Sequence, residues 1–312
     1  MRIRLNQNKN DRRKEMFMSV CIPTYNRDYI LERAVCSVLN QTEKDLELIV
    51  VDDGSTDSTR SLMEKYKHDS RVKYCYKDNG GKHTALNRGI QTARGDFFLI
   101  LDSDDMLAPN CIERMKNICM KYNLRKKKNI CGVLGKCQNM SNGQILGSTF
   151  EIGEDGYKEM SYIDLHFRNK KQYGDCCECV KTSLLKEFYW PEDIDTKFIP
   201  ESYVFDQIGL KYSLCCVNEI FEIKEYQEDG ITKNNLEFAR RNNLGFLYNY
   251  VNKIEDIFKK SKIPLKKKIS IWRLYWNAVK LDSEVVGARV KRLSFIGIIT
   301  YLALPILNRM KS

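Results

Sequence analysis

Four short apolar segments alternate with helix-forming segments in the first third of this chain. The predicted β-strands lie in the segments MSVCIPTYN (18–26), LELIVVDDGSTD (46–57), RVKYCY (71–76) and DFFLILD (96–102). Between these runs, apolar residues recur at intervals of three and four, as in RDYILERAVCSVLNQ, which is typical of amphipathic helices. Because strands that alternate with helices form a parallel sheet covered on both faces, the sequence predicts an α/β fold.

Three of the predicted strands end in clusters of polar residues. The clusters are PTYNR (23–27), DDGSTD (52–57) and DSDD (102–105). In open α/β sheets, ligands bind beyond the carboxyl ends of the parallel strands. We therefore expect the three clusters to line one crevice.

The most acidic of these strand ends contains Asp102, Asp104 and Asp105. Carboxylates crowded this closely repel one another, and a bound cation relieves the repulsion. Oxygen ligands suit Mg²⁺ or Mn²⁺, and such ions commonly combine one or two protein carboxylates with phosphate oxygens of a substrate. The cluster therefore indicates a site for Mn²⁺ or Mg²⁺ with a diphosphate. The alternative is a solvated turn that caps the next helix, because Asp and Ser are frequent in such turns.

Residues 17–115 resemble the N-terminal half of family 2 glycosyltransferases. The resemblance rests on SVCIPTYNRDYILERAVCSVLNQTEKDLELIVVDDGSTDST (19–59) and NGGKHTALNRGIQTARGDFFLILDSDDMLAP (79–109). It implies the GT-A fold, which is a Rossmann-like, mostly parallel central sheet flanked by helices. It also implies that the chain binds a nucleotide sugar.

The resemblance assigns donor-binding roles to residues at matching positions. Pro23, Thr24 and Tyr25 would surround the nucleotide base and ribose, and Asp53 would accept a hydrogen bond from the base. The full set of candidate residues for binding the nucleotide sugar is Pro23, Thr24, Tyr25, Arg27, Asp53, Lys82, Arg88, Asp102, Ser103 and Asp104.

The resemblance also implies which cations and carboxylates lie near the diphosphate. Lys82 and Arg88 would approach the donor or its phosphates, the alternative being a solvated helix face. Asp102 and Asp104 match the Asp-x-Asp pair of the family, with Asp104 as the direct metal ligand and Asp102 nearer the ribose. Asp105 is the third candidate metal ligand.

Transfer of a sugar also needs a carboxylate that takes the proton from the acceptor hydroxyl. Family 2 enzymes often carry it in a Glu-Asp motif that opens a helix, and the matching segment is KFIPESYVFDQIGLKY (197–212). Glu201 occupies the first acidic position, whereas Ser202 replaces the second. Glu201 is the leading candidate base, with Asp206 and Asp175 as alternatives. The other role open to Glu201 is that of a helix N-terminal acid stabilised by the helix dipole.

The net charge of +11 is concentrated at the C-terminal end of the chain. From Thr232 onward there are 17 Lys or Arg residues against 5 Asp or Glu residues, so the preceding part is close to neutral. Such an excess indicates an anionic surface as partner. The predicted organisation is a glycosyltransferase domain over 17–231, with a nucleotide-sugar-binding half (17–115) and an acceptor half (116–231), then a basic helical membrane-associating region over 232–312.

The closing segment KRLSFIGIITYLALPILNRMKS combines an apolar run with basic flanks. The 15 positions 293–307 are mostly apolar, whereas a membrane-spanning helix needs about 20 residues. This combination favours an interfacial anchor, in which basic residues attract anionic lipids. The residues concerned are 266–268, Lys291, Arg292 and Arg309. The alternative is a C-terminal helix packed on the protein's own core.

Twelve cysteines would suit a secreted disulfide framework, but MRIRLNQNKNDRRKEMF has no apolar run of signal-peptide length. We therefore expect reduced thiols and a cytoplasmic protein, peripheral on the inner face of the cell membrane. The adjacent Cys215 and Cys216 fit tetrahedral zinc poorly, which favours buried free thiols.

Together with the resemblance, these features predict an inverting, metal-dependent glycosyltransferase of the hexosyltransferase class. Residues 197–232 also resemble a bacterial subgroup of the family, which implies synthesis of capsule or another surface polysaccharide. It would transfer a sugar from a nucleotide diphosphate sugar, UDP-linked in particular, to a glycan or lipid-linked oligosaccharide. One alternative is a nucleotidyltransferase with a related sheet, although PTYNRD lacks the Gly-rich phosphate loop of that class. Another is a nucleic-acid-binding protein. No nucleic acid partner is expected, because the basic residues accompany an apolar tail instead of aromatics on a sheet face.

Overall fold

The computed structural model describes residues 18–225, 235–281, 290–291 and 293–309. Its strands are β1 (Met18–Thr24), β2 (Leu46–Asp52), β3 (Val72–Tyr76), β4 (Phe97–Ile100), β5 (Met106–Leu107), β6 (Ile130–Asn139), β7 (Lys158–Met160), β8 (Cys176–Lys181) and β9 (Ser213–Lys224). Its α-helices are α1 (Asp28–Leu39), α2 (Thr59–Glu64), α3 (Lys82–Thr92), α4 (Cys111–Lys121), α5 (Thr182–Leu185), α6 (Ser202–Gly209), α7 (Asn235–Arg241), α8 (Asn243–Asn252), α9 (Phe258–Lys260), α10 (Leu265–Leu281), α11 (Phe295–Leu302) and α12 (Leu304–Arg309). Two π-helical segments cover Asp164–Arg168 and Lys253–Ile257.

The strands form one mixed sheet in the order β3-β2-β1-β4-β8-β6-β9-β5, and β7 also pairs with β9. The four N-terminal strands β3, β2, β1 and β4 are all parallel. By contrast, β8 runs antiparallel to both of its neighbours, β4 and β6. The start of β8 therefore meets the carboxyl end of β4, so that the two halves of the sequence contribute to the same sheet edge.

Alternation of side chains along the strands divides the core between the two faces of the sheet. Val20 and Ile22 of β1 belong to one buried cluster, whereas Cys21 between them belongs to the other. Helices α1 and α4 cover the first face, and α3 and α6 cover the second. Strands buried on both sides explain why the N-terminal strands appear in the sequence as continuous apolar runs.

The predicted α/β fold is confirmed, and each of the four strands and three helices expected in the first hundred residues is present. Asn142 and Gly143 lie in a turn, with Gly143 at a φ of 68°. An isolated antiparallel bridge between Gln138 and Ile145 flanks this turn. All twelve cysteines are free, and most of them are buried.

The basic C-terminal region packs directly on the acceptor half. Lys253 Nζ lies 2.7 Å from Asp206 Oδ2 and 2.9 Å from Ser202 Oγ, both in α6. Asn252 Nδ2 donates to the Tyr203 carbonyl oxygen at 3.2 Å. The predicted boundary between residues 231 and 232 lies outside the described residues, as does Arg292.

Helices α11 and α12 lie beside α10, with one face packed and the other exposed. On the packed face, Gly297 lies against the Trp272 ring, and Trp276 Nε1 donates to the Gly297 carbonyl oxygen at 3.0 Å. The exposed face forms an apolar stripe of Phe295, Ile298, Ile299, Leu302 and Ile306, whose exposed fractions range from 46% to 77%. In the described part of the chain, no helix has the length and apolar character of a membrane span.

Close packing between α8 and the segment that contains Phe198 can be tested at Gly245. A Cβ atom at this position would stand 1.9 Å from the Phe198 carbonyl oxygen. We expect Gly245→Ala to lower the free energy of unfolding by about 1–3 kcal/mol through overpacking, although alanine normally favours a helix. The measurement is urea unfolding, with Gly153→Ala as the control because nothing lies within 4 Å of its Cβ position. Equal stability of Gly245→Ala and the wild type would contradict the close contact.

Candidate active site

A cleft of about 1840 Å³ opens at the sheet edge where β1, β2 and β4 end and β8 begins. Pro23 and Thr24 at the end of β1, Asp53 after β2 and Ser103 after β4 all line this cleft. Its other side is formed by residues 165–176, by Glu178, by Glu201 before α6 and by the first turn of α10. The three polar strand ends therefore share one crevice, as the sequence predicts.

Asp102, Asp104 and Asp105, the acidic cluster, lie together in the turn that follows β4. One carboxylate oxygen of each lies within 4.8 Å of the others. Burial raises the pKa of Asp104, and the carboxylates of Asp102 and Asp105 raise it further. Burial also raises the pKa of Asp105, against the opposing effect of Lys224. Oxygen donors this close together fit a divalent cation such as Mn²⁺ or Mg²⁺, which would relieve their repulsion.

Lys82, the first residue of α3, connects the acidic cluster to Glu201. Its Nζ lies 2.6 Å from Asp102 Oδ1 and 2.8 Å from Glu201 Oε1. Burial disfavours the charged form of Lys82, but Asp102 and Glu201 outweigh this effect and raise the pKa of its ammonium group. Burial likewise opposes the charge of Asp102, yet Lys82 and Lys224 lower the pKa of Asp102 to about 2. The carboxylates of Asp102 and Glu201 thus share the charged ammonium group of Lys82 as a neighbour.

Asp53 fixes the turn that positions Lys82. Its Oδ1 accepts hydrogen bonds from Gly80 N at 2.9 Å and from Lys77 Nζ at 2.7 Å, and its Oδ2 accepts one from Gly81 N at 2.6 Å. Gly81 has a φ of 100°, and a Cβ there would stand 2.1 Å from the Lys197 carbonyl oxygen, so that only glycine fits. Asp53 lines the cleft, but both of its carboxylate oxygens already accept hydrogen bonds.

The remaining donor-binding candidates differ in their environments. Tyr25 is 47% exposed at the cleft, and Arg27 also lines it. Thr24 is buried, and its Oγ1 has no hydrogen-bond partner among the described residues. Arg88 is exposed on α3 and does not line the cleft. Buried hydroxyls are normally paired, so the Thr24 hydroxyl is available for a hydrogen bond to a polar ligand in the cleft.

The three candidate bases are separated by the fold. Glu201 and Asp175 both line the cleft. Asp206 is fully buried in α6, with His166 Nδ1 at 2.6 Å from its Oδ1 and Lys253 Nζ at 2.7 Å from its Oδ2. Burial opposes the charge of Asp206, but Lys253 and His166 lower its pKa. Asp206 therefore belongs to a buried ion-paired network, of which His166 lines the cleft.

Three further charged residues of the cleft are not apparent from the sequence pattern. Lys224 and Glu222 come from β9, and Lys224 Nζ lies 2.6 Å from Asp105 Oδ2 and 2.9 Å from Glu222 Oε1. Glu178 comes from β8, where burial and the neighbouring Glu222 carboxylate raise its pKa to about 8. The signal common to all three is a charged residue inside a mostly apolar strand, as in CCECVK and CCVNEIFEIK.

Residues 19–182 match the model of a protein family described as Glycosyl transferase family 2. This chain belongs to glycosyltransferase family 2. Glycosyl transfer is the activity that gives this family its name, and the cleft at the strand ends is the candidate active site of this chain. The predicted family and the predicted enzyme class are both confirmed by this match.

Named relatives match different shares of the chain. An uncharacterized glycosyltransferase of Rickettsia typhi is 40% identical over 115 residues, which are 37% of this chain and 36% of the relative. The GalNAc(5)-diNAcBac-PP-undecaprenol beta-1,3-glucosyltransferase of Campylobacter jejuni is 29% identical over 234 residues, 74% of this chain and 72% of that enzyme. The chain thus spans about a third of the rickettsial relative and most of the Campylobacter enzyme.

A solved structure confirms the architecture. Staphylococcus aureus TarS 1-349 in complex with UDP-GlcNAc superimposes with a TM-score of 0.56 at 20% sequence identity. The superposition covers 95% of this chain and 93% of TarS 1-349. At this level of identity the likeness is one of fold, and it confirms the predicted GT-A architecture.

The neutral state of His83, which follows Lys82 in α3, predicts a pH-dependent stability. Burial lowers the pKa of His83 to about 4, whereas an unfolded histidine has a pKa of about 6.5. Between these pH values the unfolded chain binds a proton that the folded chain does not, so acidification favours unfolding. Urea unfolding from pH 7 to pH 4.5 should therefore show a smaller loss of stability in His83→Gln than in the wild type.

The matched control for this measurement is His68→Gln, which replaces an exposed histidine. It should keep the pH dependence of the wild type. If His83→Gln and the wild type lost stability in parallel over this range, the assignment of a neutral, buried His83 would be wrong.

Proposed function

We propose that this chain is an inverting, metal-dependent glycosyltransferase that transfers a hexose from a UDP-sugar to a lipid-linked surface glycan. The observation that carries the proposal is the acidic cluster joined to Glu201 through Lys82 inside one cleft. The choice of donor is supported by the UDP-GlcNAc held in the similar TarS structure. The choice of acceptor is supported by the PP-undecaprenol in the name of the Campylobacter relative.

The donor would lie along the carboxyl ends of the parallel strands. Its nucleotide would occupy the region of Pro23, Thr24 and Tyr25, where the free Thr24 hydroxyl can accept or donate a hydrogen bond. The acidic cluster would hold Mn²⁺ or Mg²⁺, which supplies Lewis-acid stabilisation of charge on the departing diphosphate. Lys82 already stands beside Asp102 as a cation, and so it adds positive charge without reorganisation during the reaction.

Glu201 is the proposed catalytic base. It would take the proton from the acceptor hydroxyl while that oxygen bonds to the anomeric carbon and the bond to the diphosphate breaks. Displacement in one step inverts the anomeric centre. Asp206 is less suited because both of its oxygens are bonded within the protein, and Asp175 is exposed at the surface of the cleft.

Donor binding can be tested by calorimetric titration of UDP with and without Mn²⁺. We expect Mn²⁺ to strengthen UDP binding about tenfold or more, because the metal neutralises both the acidic cluster and the diphosphate. Asp104→Ala should lose this metal-dependent gain. Asp155→Ala, which removes an exposed carboxylate outside the cleft, should retain it. Equal UDP affinity with and without Mn²⁺ would contradict metal dependence, and no binding under either condition would contradict a UDP donor.

We further propose that the chain docks on the cytoplasmic face of an anionic membrane through the apolar stripe. Phe295 is 77% exposed and Leu302 is 72% exposed, on the side of α11 that faces away from α10. The first turn of α10 adds three consecutive lysines, of which Lys266 and Lys267 are exposed and Lys268 is half-buried. Two of these lysines also line the cleft, so that a surface attracting anionic headgroups adjoins the proposed acceptor entrance.

Membrane docking predicts a loss of vesicle binding when the stripe is made polar. The combined change Phe295→Ser and Leu302→Ser should reduce binding to phosphatidylglycerol vesicles about tenfold or more, because two large apolar side chains no longer leave water. Sedimentation of the full chain with vesicles measures the effect. Met120→Ser alters a similarly exposed apolar residue on α4 and should bind like the wild type. Unchanged sedimentation of the double variant would rule out docking through this face.

A further inference from the structure

Glu178 occupies a position on the sheet where apolar residues are expected. In β8, Cys177 and Cys179 belong to one buried cluster, whereas Val180 belongs to the other and Cys176 packs against it. Alternation along the strand puts Glu178 on the same face as Cys176 and Val180, and this face lines the cleft. A carboxyl group therefore stands on this face, where the neighbouring strand β6 places Leu134 opposite Glu178 and Lys136 opposite Cys176.

The carboxyl of Glu178 has no hydrogen bond or ion pair within the described part of the chain. Its neighbours differ in this respect, since Glu222 pairs with Lys224 at 2.9 Å and Glu201 pairs with Lys82 at 2.8 Å. Burial, with the carboxylates of Glu222 and Glu201 and against the opposing effect of Lys224, raises the pKa of Glu178 to about 8. At neutral pH the group is mainly protonated, so it can both donate and accept a hydrogen bond. The half-buried carboxyl of Glu178 lines the cleft, where a polar ligand can form a hydrogen bond with it.

The order of the strands indicates which part of a ligand meets Glu178. The proposed donor site has the nucleotide at the ends of β1 and β2 and the diphosphate at the end of β4. The next strand in the sheet is β8, which lies about 4.8 Å beyond β4. Cys179 pairs with Leu99 of β4, so Glu178 is level with the end of that strand. On its far side Glu178 pairs with Leu134 of β6, which also lines the cleft.

We propose that Glu178 binds a hydroxyl group of the donor sugar and thereby helps to select which hexose is transferred. This inference rests on the proposed donor site and adds to it a residue of the acceptor half. A hexose presents hydroxyl groups that both donate and accept hydrogen bonds, which matches a protonated carboxyl. Because Glu178 lies beyond the diphosphate, it contributes to the binding of UDP-hexoses and not to the binding of UDP.

The test compares calorimetric titrations of UDP with those of UDP-glucose, UDP-galactose, UDP-GlcNAc and UDP-GalNAc, all in Mn²⁺. For the UDP-hexose that the wild type binds most tightly, Glu178→Ala should weaken binding about tenfold, as expected for one lost hydrogen bond. Its affinity for UDP should stay within about twofold of the wild type. Glu178→Gln retains the shape and both hydrogen-bonding functions, and it should restore most of the lost affinity.

Controls separate this role from a structural one. Glu187→Ala removes an exposed glutamate outside the cleft and should bind every ligand like the wild type. If Glu178→Ala does not fold, Glu178→Met removes the polar group while keeping the side-chain volume. If Glu178→Ala or Glu178→Met has the same ratio of UDP-hexose affinity to UDP affinity as the wild type, the proposal is overturned. If the wild type does not bind UDP, the proposed donor site itself is wrong. The titration of UDP into the wild type separates this outcome from a failure of the role proposed for Glu178.

Discussion

Repulsion among the carboxylates of the acidic cluster is the constraint around which the site is built. Three negative groups in one partly buried turn are unstable unless positive charge is brought to them. Within the protein, that charge comes from Lys82 at the start of α3 and from Lys224 at the end of β9. These lysines are far apart in sequence, so the fold must hold α3 and β9 in register with the end of β4 before they can offset the negative charge of the cluster.

Each of these cations is positioned by backbone geometry. Asp53 accepts hydrogen bonds from the two glycine N–H groups that precede Lys82, and the positive φ of Gly81 lets the turn approach the Lys197 carbonyl closely. Lys224 is carried by β9, which pairs in parallel with β6. The charges of the site are therefore fixed to rigid elements, which suits an active site that must stabilise developing charge without rearrangement.

The N-terminal fold was predictable because its signals are local. Strands buried on both faces produce apolar runs, and the polar clusters that end them identify the ligand-binding edge without knowledge of pairing. The second half was less predictable because pairing is not local. Nothing in CCECVK specifies that β8 inserts antiparallel between β4 and β6, and hence that Glu178 faces the cleft. The contact between Lys82 and Glu201 likewise depends on how α6 is placed against α3.

The pairing of Asp206 with Lys253 has a consequence for how this chain can change in evolution. The aspartate belongs to the acceptor half and the lysine to the basic C-terminal region, yet the two form one buried ion pair. Loss of one partner from such a pair costs about 3–5 kcal/mol, a large share of the stability of an ordinary domain. The C-terminal region is therefore not an exchangeable module. Recombination that joined a different tail to this catalytic body would have to supply a new cation to Asp206.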